Sequence, residues 1–188
     1  MYKERREKVF DFLPMNSIAM FLSGNAPYQV GDEKYPFDVN RSFYYLTGID
    51  RENLVLMLIK TKNNNQTILF IEPFDPVMAK WVGGKIQAHE ATEISGISDV
   101  RFIDDLDSTI NRLLHSTNEQ AWTLCGELSK QELKQPWPLA DMFNEYKQQY
   151  PDVMIKNIFA DMARLRMVKS KEEIDNMKKA IAVTNAGI

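Results

Sequence analysis

The sequence predicts an α/β fold in which a mixed β-sheet is flanked by helices. Short apolar runs alternate with helix-period segments along the chain. Two of those runs, residues 53–61 and 67–71, are joined by the polar turn Lys62-Asn63-Asn64-Asn65, which suits an antiparallel hairpin. The first of the pair is almost continuously apolar, as expected of a strand covered on both faces. The hairpin makes the sheet mixed rather than all-parallel.

Each element has its own signal. Residues 4–13 place Arg5, Val9, Phe12 and Leu13 at helical spacing, and Pro14 ends that helix. The mixed-sign stretch 3–8 reads as its solvated face. Residues 17–23 form a compact apolar run closed by Gly24-Asn25, a buried strand and turn. Residues 25–42 read as loop, punctuated by Pro27, Gly31, Asp32 and Pro36. The aromatic-rich segment 43–49 is expected to be a strand. Asp75-Pro76 is expected to start a helix, with Asp75 at the N-cap and Pro76 at the first position. That helix would carry Val77, Met78 and Trp81 and stop at Gly83-Gly84.

A short helix and turn are expected over 85–99 and a strand over 100–103. Asp104 or Asp105 would then cap a helix with Leu106, Ile110, Leu113 and Leu114 on one face. Residues 121–125 read as a strand, 137–149 as a helix and 153–158 as extended. Ser170 and Glu173 match a capping box, and Ile174, Met177, Ala180 and Ile181 form an apolar stripe behind it. That helix is either docked on the domain or marks a chain cut at the entrance to a second one.

Composition excludes several classes. The 188 residues are 44% apolar and 26% charged, which rules out a disordered chain, collagen and a disulfide scaffold. The net charge of −3 argues against a dedicated nucleic-acid binder. The single cysteine, Cys125, lies in an apolar run and is expected to be buried; a reducing, cytoplasmic location fits best. No apolar h-region follows the charged N-terminus, and no run is long enough to span a bilayer, so neither a secretory signal nor a membrane partner is expected.

The local chemistry yields no complete active site. His89 and His115 are the only histidines, and the zincin-like His89-Glu90-Ala91-Thr92-Glu93 lacks its second imidazole. Asp104, Asp105 and Asp107 could tempt a nuclease assignment, but capping and the helix dipole explain such a cluster better. Asp32-Glu33 and Glu72 with Asp75 read as turn residues. There is no GxSxG elbow, and Gly83-Gly84-Lys85 lacks the upstream glycine of a P-loop. The basic segment 164–171 reads as a structural linker.

Three segments together resemble a known family. Tyr35-Pro36-Phe37, Asn40 and Phe43-Tyr44-Tyr45-Leu46-Thr47-Gly48 resemble the N-terminal domain of aminopeptidase P, the Xaa-Pro aminopeptidases. Trp81-Val82-Gly83 looks like that family's WxG helix end. Residues 165–174, with Arg166, Lys169, Glu173 and Ile174, resemble the linker R-x-x-K-x-x-x-E-I into the catalytic domain, a pattern shared with prolidase and creatinase. Asp38 and Ser42 depart from the family's usual Arg and Asp.

The resemblance implies the creatinase/prolidase N-terminal fold, an RNase H-like motif, over 1–163. Residues 164–188 would then be the linker and first helix of a truncated "pita-bread" catalytic domain. That missing domain would hold two divalent metal ions, usually manganese, on two Asp, one His and two Glu, and its bridging hydroxide would attack the Xaa-Pro bond. No cofactor is expected in this chain, and the chain alone is expected to be inactive. The resemblance also implies a homo-oligomer, dimer or tetramer, and an Xaa-Pro peptide substrate. It further implies a place at a neighbouring subunit's substrate entrance for Asp32 and Trp81. The plainer readings are a turn residue for Asp32 and a helix-face core residue for Trp81. A free-standing peptide- or protein-binding module of the same fold and a prolidase-type dipeptidase remain as alternatives.

Overall fold

The structure, a computed structural model, describes residues 1–74, 76–77, 79–115, 121–128 and 138–187. Among them, six strands form one sheet: β1 (Ser17–Leu22), β4 (Val55–Lys60), β5 (Asn65–Ile71), β6 (Val100–Phe102), β7 (Thr123–Gly126) and β8 (Met154–Asn157). Their order is β6-β5-β4-β1-β7-β8. β4 runs antiparallel to both β1 and β5, and the remaining pairings are parallel. The mixed sheet and the hairpin around residues 62–64 are as expected from sequence.

Alternation along β4 shows why its run is apolar throughout. Leu56 and Leu58 face one core, beside Val9, Phe10, Phe43, Leu46, Ala91 and Met162. Val55, Met57 and Ile59 face a second core with Phe70, Ile110, Leu139 and Phe143. Helices α1 (Tyr2–Phe12), α2 (Arg41–Thr47), α4 (Ala88–Ser95) and α7 (Phe159–Met167) contribute to the first core. Helices α5 (Leu106–Leu114) and α6 (Pro138–Gln149) cover the second. Cys125 is buried as expected, and burial pushes its thiol up to about 12.

Several expectations are corrected. The segment 43–49, expected as a strand, is instead mostly helix α2, which spans Arg41–Thr47. Asn40 Oδ1 accepts from the backbone N–H of Ser42 (3.0 Å) and Phe43 (3.1 Å), a full N-cap. Gly48 ends the helix in the left-handed region at φ 74°, with its N–H donating to Tyr44 O. Between the caps, Phe43, Leu46 and Thr47 share the buried face at helical spacing.

The stretch 25–42 is not all loop: β2 (Tyr28–Val30) and β3 (Glu33–Lys34) make a small exposed hairpin. Pro76 lies in a turn, and α3 is only Ala79–Val82. The expected Asp75 cap and Met78 lie outside the described residues. Asp105 occupies the N-cap position of α5 without a side-chain cap bond. Asp107 does not cap either: its carboxylate accepts from Tyr146 Oη and from Asn111 Nδ2 (2.9 Å), tying α5 to α6.

The stretch 3–8 is solvated only in part: Lys3, Glu4, Glu7 and Lys8 are exposed as expected, but Arg5 and Arg6 are buried. Arg6 Nη1 donates to Leu46 O (2.7 Å) and Arg5 Nη1 to Tyr45 O (2.9 Å), carbonyls in the last turn of α2 that lack helical partners. The negative end of a helix dipole also favours cations there. Burial lowers Arg6 to about 10, so it stays charged at neutral pH. The end of α1 is served in turn by the sheet: Lys60 Nζ donates to Phe10 O (2.6 Å) and Leu13 O (2.9 Å).

Two substitutions test this account of α2. Asn40→Ala should cost about 1 kcal/mol through loss of the cap. Gly48→Ala should cost more, because a left-handed backbone with a Cβ costs about 1–2 kcal/mol by itself. The added Cβ would also collide with the Tyr2 ring. Urea denaturation midpoints measure both, and a Gly48→Ala midpoint equal to the parent's would refute the α2 end described here.

Candidate functional site

Helix α8 (Lys171–Gly187) leaves α7 after the three non-helical residues Val168, Lys169 and Ser170. Its start is the expected capping box. Ser170 Oγ accepts from Glu173 N (3.2 Å), and Glu173 Oε2 accepts from Ser170 N (2.8 Å). The other carboxylate oxygen, Oε1, pairs with Arg5 Nη2 at 3.2 Å. The two side chains are only 11% and 22% exposed, so this pair is better shielded than a typical surface bridge. Burial by itself would raise Glu173, but the Ser170 hydrogen bonds, with Arg5 and Lys169 nearby, hold its carboxyl below the usual carboxylate range.

Arg5 therefore joins three elements. Its guanidinium lies 4.1 Å from the Tyr45 ring centroid and 5.5 Å from that of Tyr2. It donates to the end of α2 and reaches across to α8. Around it opens a cleft of about 510 Å³ between α1, α2, α7 and α8. Arg41, Tyr44, Arg166 and Lys169 line it, together with Asp38. Arg166 Nη1 donates to Ser42 Oγ at 3.1 Å, fixing α7 to the start of α2.

Expectation had placed site residues elsewhere. Asp32 sits in the exposed tip between β2 and β3, as a turn residue would. Trp81, on α3, is 82% exposed and so is not a core residue. The pairings Leu22↔Val55 and Val55↔Phe70 put the end of β1 and the end of β5 at the same edge of the sheet. The β2–β3 hairpin follows β1, and the segment bearing Trp81 follows β5, so both depart from that edge. The α8 stripe is uncovered: no α8 residue is buried, and Ile174, Met177 and Ile181 are exposed. The terminal helix is therefore not docked by its apolar face.

Sequence reasoning missed the arginine cluster. One signal was present, since Arg5 falls in helical register with Val9. Arg166 was marked only as the arginine of the linker pattern and Arg41 not at all, because their convergence depends on α2 being a helix. The expected boundary between residues 163 and 164 falls inside α7.

Among the described residues, no three His, Cys, Asp or Glu gather to hold a metal ion. None of their helices is long and apolar enough to cross a membrane.

Comparison with known proteins gives a consistent picture. The family model described as "Aminopeptidase P, N-terminal domain" matches residues 2–122. The Xaa-Pro aminopeptidase of Haemophilus influenzae is 26% identical, over 99% of this chain and 41% of that protein. Xaa-Pro aminopeptidase 3 of Dictyostelium discoideum is 26% identical over 95% of this chain and 33% of its own length. A solved structure from Bacillus anthracis, provisionally assigned as an aminopeptidase P, superposes with a TM-score of 0.91 at 39% identity, covering 99% of this chain and 44% of that one. Escherichia coli aminopeptidase P with the inhibitor Pro-Leu superposes at 0.75 with 20% identity over 93% of this chain and 40% of that one, a likeness of fold. The chain thus spans less than half the length of the relatives it matches.

The Glu173 geometry carries a pH prediction. Its folded pKa is depressed, so its stabilisation of the start of α8 is complete above the ordinary carboxylate range. That stabilisation is lost as pH falls through the lowered folded value. Amide exchange over 171–175 should therefore lose protection on acidification, and Glu173→Ala, which removes both the capping acceptor and the Arg5 pair, should show weak protection at every pH. Protection in the parent that is unchanged from neutral to roughly pH 3, below the ordinary carboxylate values, would contradict it.

Proposed function

Because the chain belongs to the aminopeptidase P N-terminal domain family, we propose that it is the non-catalytic N-terminal domain of a metal-dependent Xaa-Pro aminopeptidase. The observation that carries the reading is the family match over residues 2–122, joined to a fold shared over 99% of the chain at 39% identity. In this reading the complete protein hydrolyses the bond between an N-terminal residue and proline. Two divalent ions, manganese by expectation, supply a polarised carbonyl and an activated water in a following domain. The described residues do not fit such a centre, since no three His, Cys, Asp or Glu among them come together.

The domain's own contribution is then structural and steric. Tyr28, Val30 and Tyr35 in and after the Asp32 hairpin, and Phe74, Val77 and Trp81 in the segment after β5, are exposed. Exposed aromatic and aliphatic groups of this kind suit contact between subunits. A homo-oligomer, dimer or tetramer, formed there would put Trp81 against a neighbour's substrate entrance. There an indole could pack on a proline ring, and the Asp32 carboxylate could pair with a cationic group. The cytoplasm is the proposed location, on the single buried cysteine.

Two experiments test these readings. The gene's full reading frame should cleave Xaa-Pro peptides in a chelator-sensitive way, and the 188-residue chain should not. Turnover by the short chain overturns the reading, and so does a silent full-length protein. A frame that stops at residue 188 would leave the binding-module alternative. In the full enzyme, Trp81→Ala should raise KM for an Xaa-Pro peptide by about three- to tenfold, the worth of one aromatic contact, with kcat nearly constant. Trp81→Glu should lower the oligomeric order seen by analytical ultracentrifugation. Unchanged KM and unchanged assembly in both variants would remove Trp81 from the entrance.

A further inference from the structure

The cleft between α1, α2, α7 and α8 has a charge pattern that the domain itself does not balance. Arg5 is matched by Glu173. Lys169 donates to Arg166 O and sits close enough to Glu173 to help hold its carboxyl low. Arg41 and Arg166 have no such match. Arg166 makes its bond to a neutral hydroxyl, Ser42 Oγ, and among the described residues no carboxylate pairs with either arginine. Three acidic groups line the cleft and the recess that adjoins it: Glu173, which pairs with Arg5, in the cleft, Glu127 in the recess, and Asp38 in both; Asp38 is joined to neither arginine.

Position strengthens the argument. A smaller recess of about 220 Å³ adjoins the main cleft of about 510 Å³, and Arg41, Arg166 and Asp38 line both. Both arginines thus border the two recesses, Arg41 exposed and Arg166 partly buried. Arg166 is half-buried and oriented by Ser42, so part of its ordering cost is already met in the folded chain. Guanidinium forks match the geometry of phosphate and carboxylate oxygens better than any other side chain. The exposed Tyr44 and the half-buried Tyr45 ring give the main cleft a partly apolar wall, and its volume is in the range of small-ligand sites.

We propose that this cleft is a binding site for a small oxyanion-bearing molecule, a phosphate or a carboxylate, held by Arg41 and Arg166 with Lys169 at the rim. The site needs neither the metal centre nor the peptidase reading, and its test does not depend on either.

The test uses the 188-residue chain in a non-coordinating buffer. Inorganic phosphate and, separately, acetate are titrated at ionic strength held constant with sodium chloride, and backbone amide shifts are followed by NMR. Constant ionic strength separates a specific site from general screening. The expected result is a saturable shift confined to residues 38–45 and 166–173 with one or both anions. Phosphate alone would name a phosphoryl ligand, and both together a general oxyanion site. Arg41→Gln combined with Arg166→Gln should weaken the affinity about tenfold or more, as loss of two charge-assisted contacts requires. Arg112→Gln on α5 should leave it unchanged. Circular dichroism checks that the variants fold. Shifts spread over the whole surface, no saturation with either anion, or equal affinity in the double variant would overturn the proposal.

Discussion

Two buried guanidinium groups at the end of α2 constrain how this domain is put together. Arg5 and Arg6 each donate to a carbonyl that the helix geometry leaves without a partner. The need is mutual. The carbonyls are costly to bury unpaired, and a buried cation is costlier still. Sliding α1 by one turn along α2, about 5.4 Å, would leave both partners stranded at once. α1 is therefore locked in register before any apolar contact is considered. Lys60 repeats the device one layer down, meeting the carbonyls at the end of α1 from the end of β4. The outer helices are thus referenced to β4, the strand that lies near the middle of the sheet and is buried on both faces.

The same logic explains which parts of the fold could be read from sequence. The central strands were legible because their own residues decide them: β1, β4 and β5 are dense in branched and apolar side chains, and Asn-rich polar residues mark the hairpin turn. The segment 43–49 was not, because its residue types, Phe, Tyr, Tyr, Leu and Thr, favour a strand. What overrides them is the Asn40 cap, the left-handed Gly48 and two donors from forty residues upstream. Local propensity spans only about 1 kcal/mol, and those interactions together exceed it. Once α2 is taken for a strand, the stretch 3–8 has nothing to donate to and reads as solvated. The Trp81 motif was legible as a pattern, but its exposure follows from α3 being a four-residue turn of helix rather than a longer amphipathic one.

Polar contacts also settle the behaviour of α8. An amphipathic helix in a globular domain ordinarily draws its stability from burying its stripe. Here no residue of α8 is buried, and what holds its first turn is the Ser170–Glu173 capping box and the Arg5–Glu173 pair. Glu173 serves both, one carboxylate oxygen for each, so the helix start and its attachment to α1 depend on a single charged group. The Arg5 end of that pair is itself fixed by the α2 carbonyl and by the Tyr45 ring. The start of α8 is consequently well defined, while Ile174, Met177 and Ile181 stay 41%, 52% and 56% exposed.

That arrangement has a physical consequence under the peptidase reading. A catalytic domain following α8 would meet a helix whose origin is pinned and whose apolar face is free, and its orientation would be set by whatever packs on that face. The apolar burial would then supply most of the docking free energy, while Arg5 and Glu173 would supply the direction. An ion pair suits that second role, because its charge-assisted hydrogen bond is directional whereas apolar contact is not. The sequence carries both halves of the device, a capping box placed directly before a stripe. Only the folded chain shows that the box is anchored through Arg5 to the end of α2.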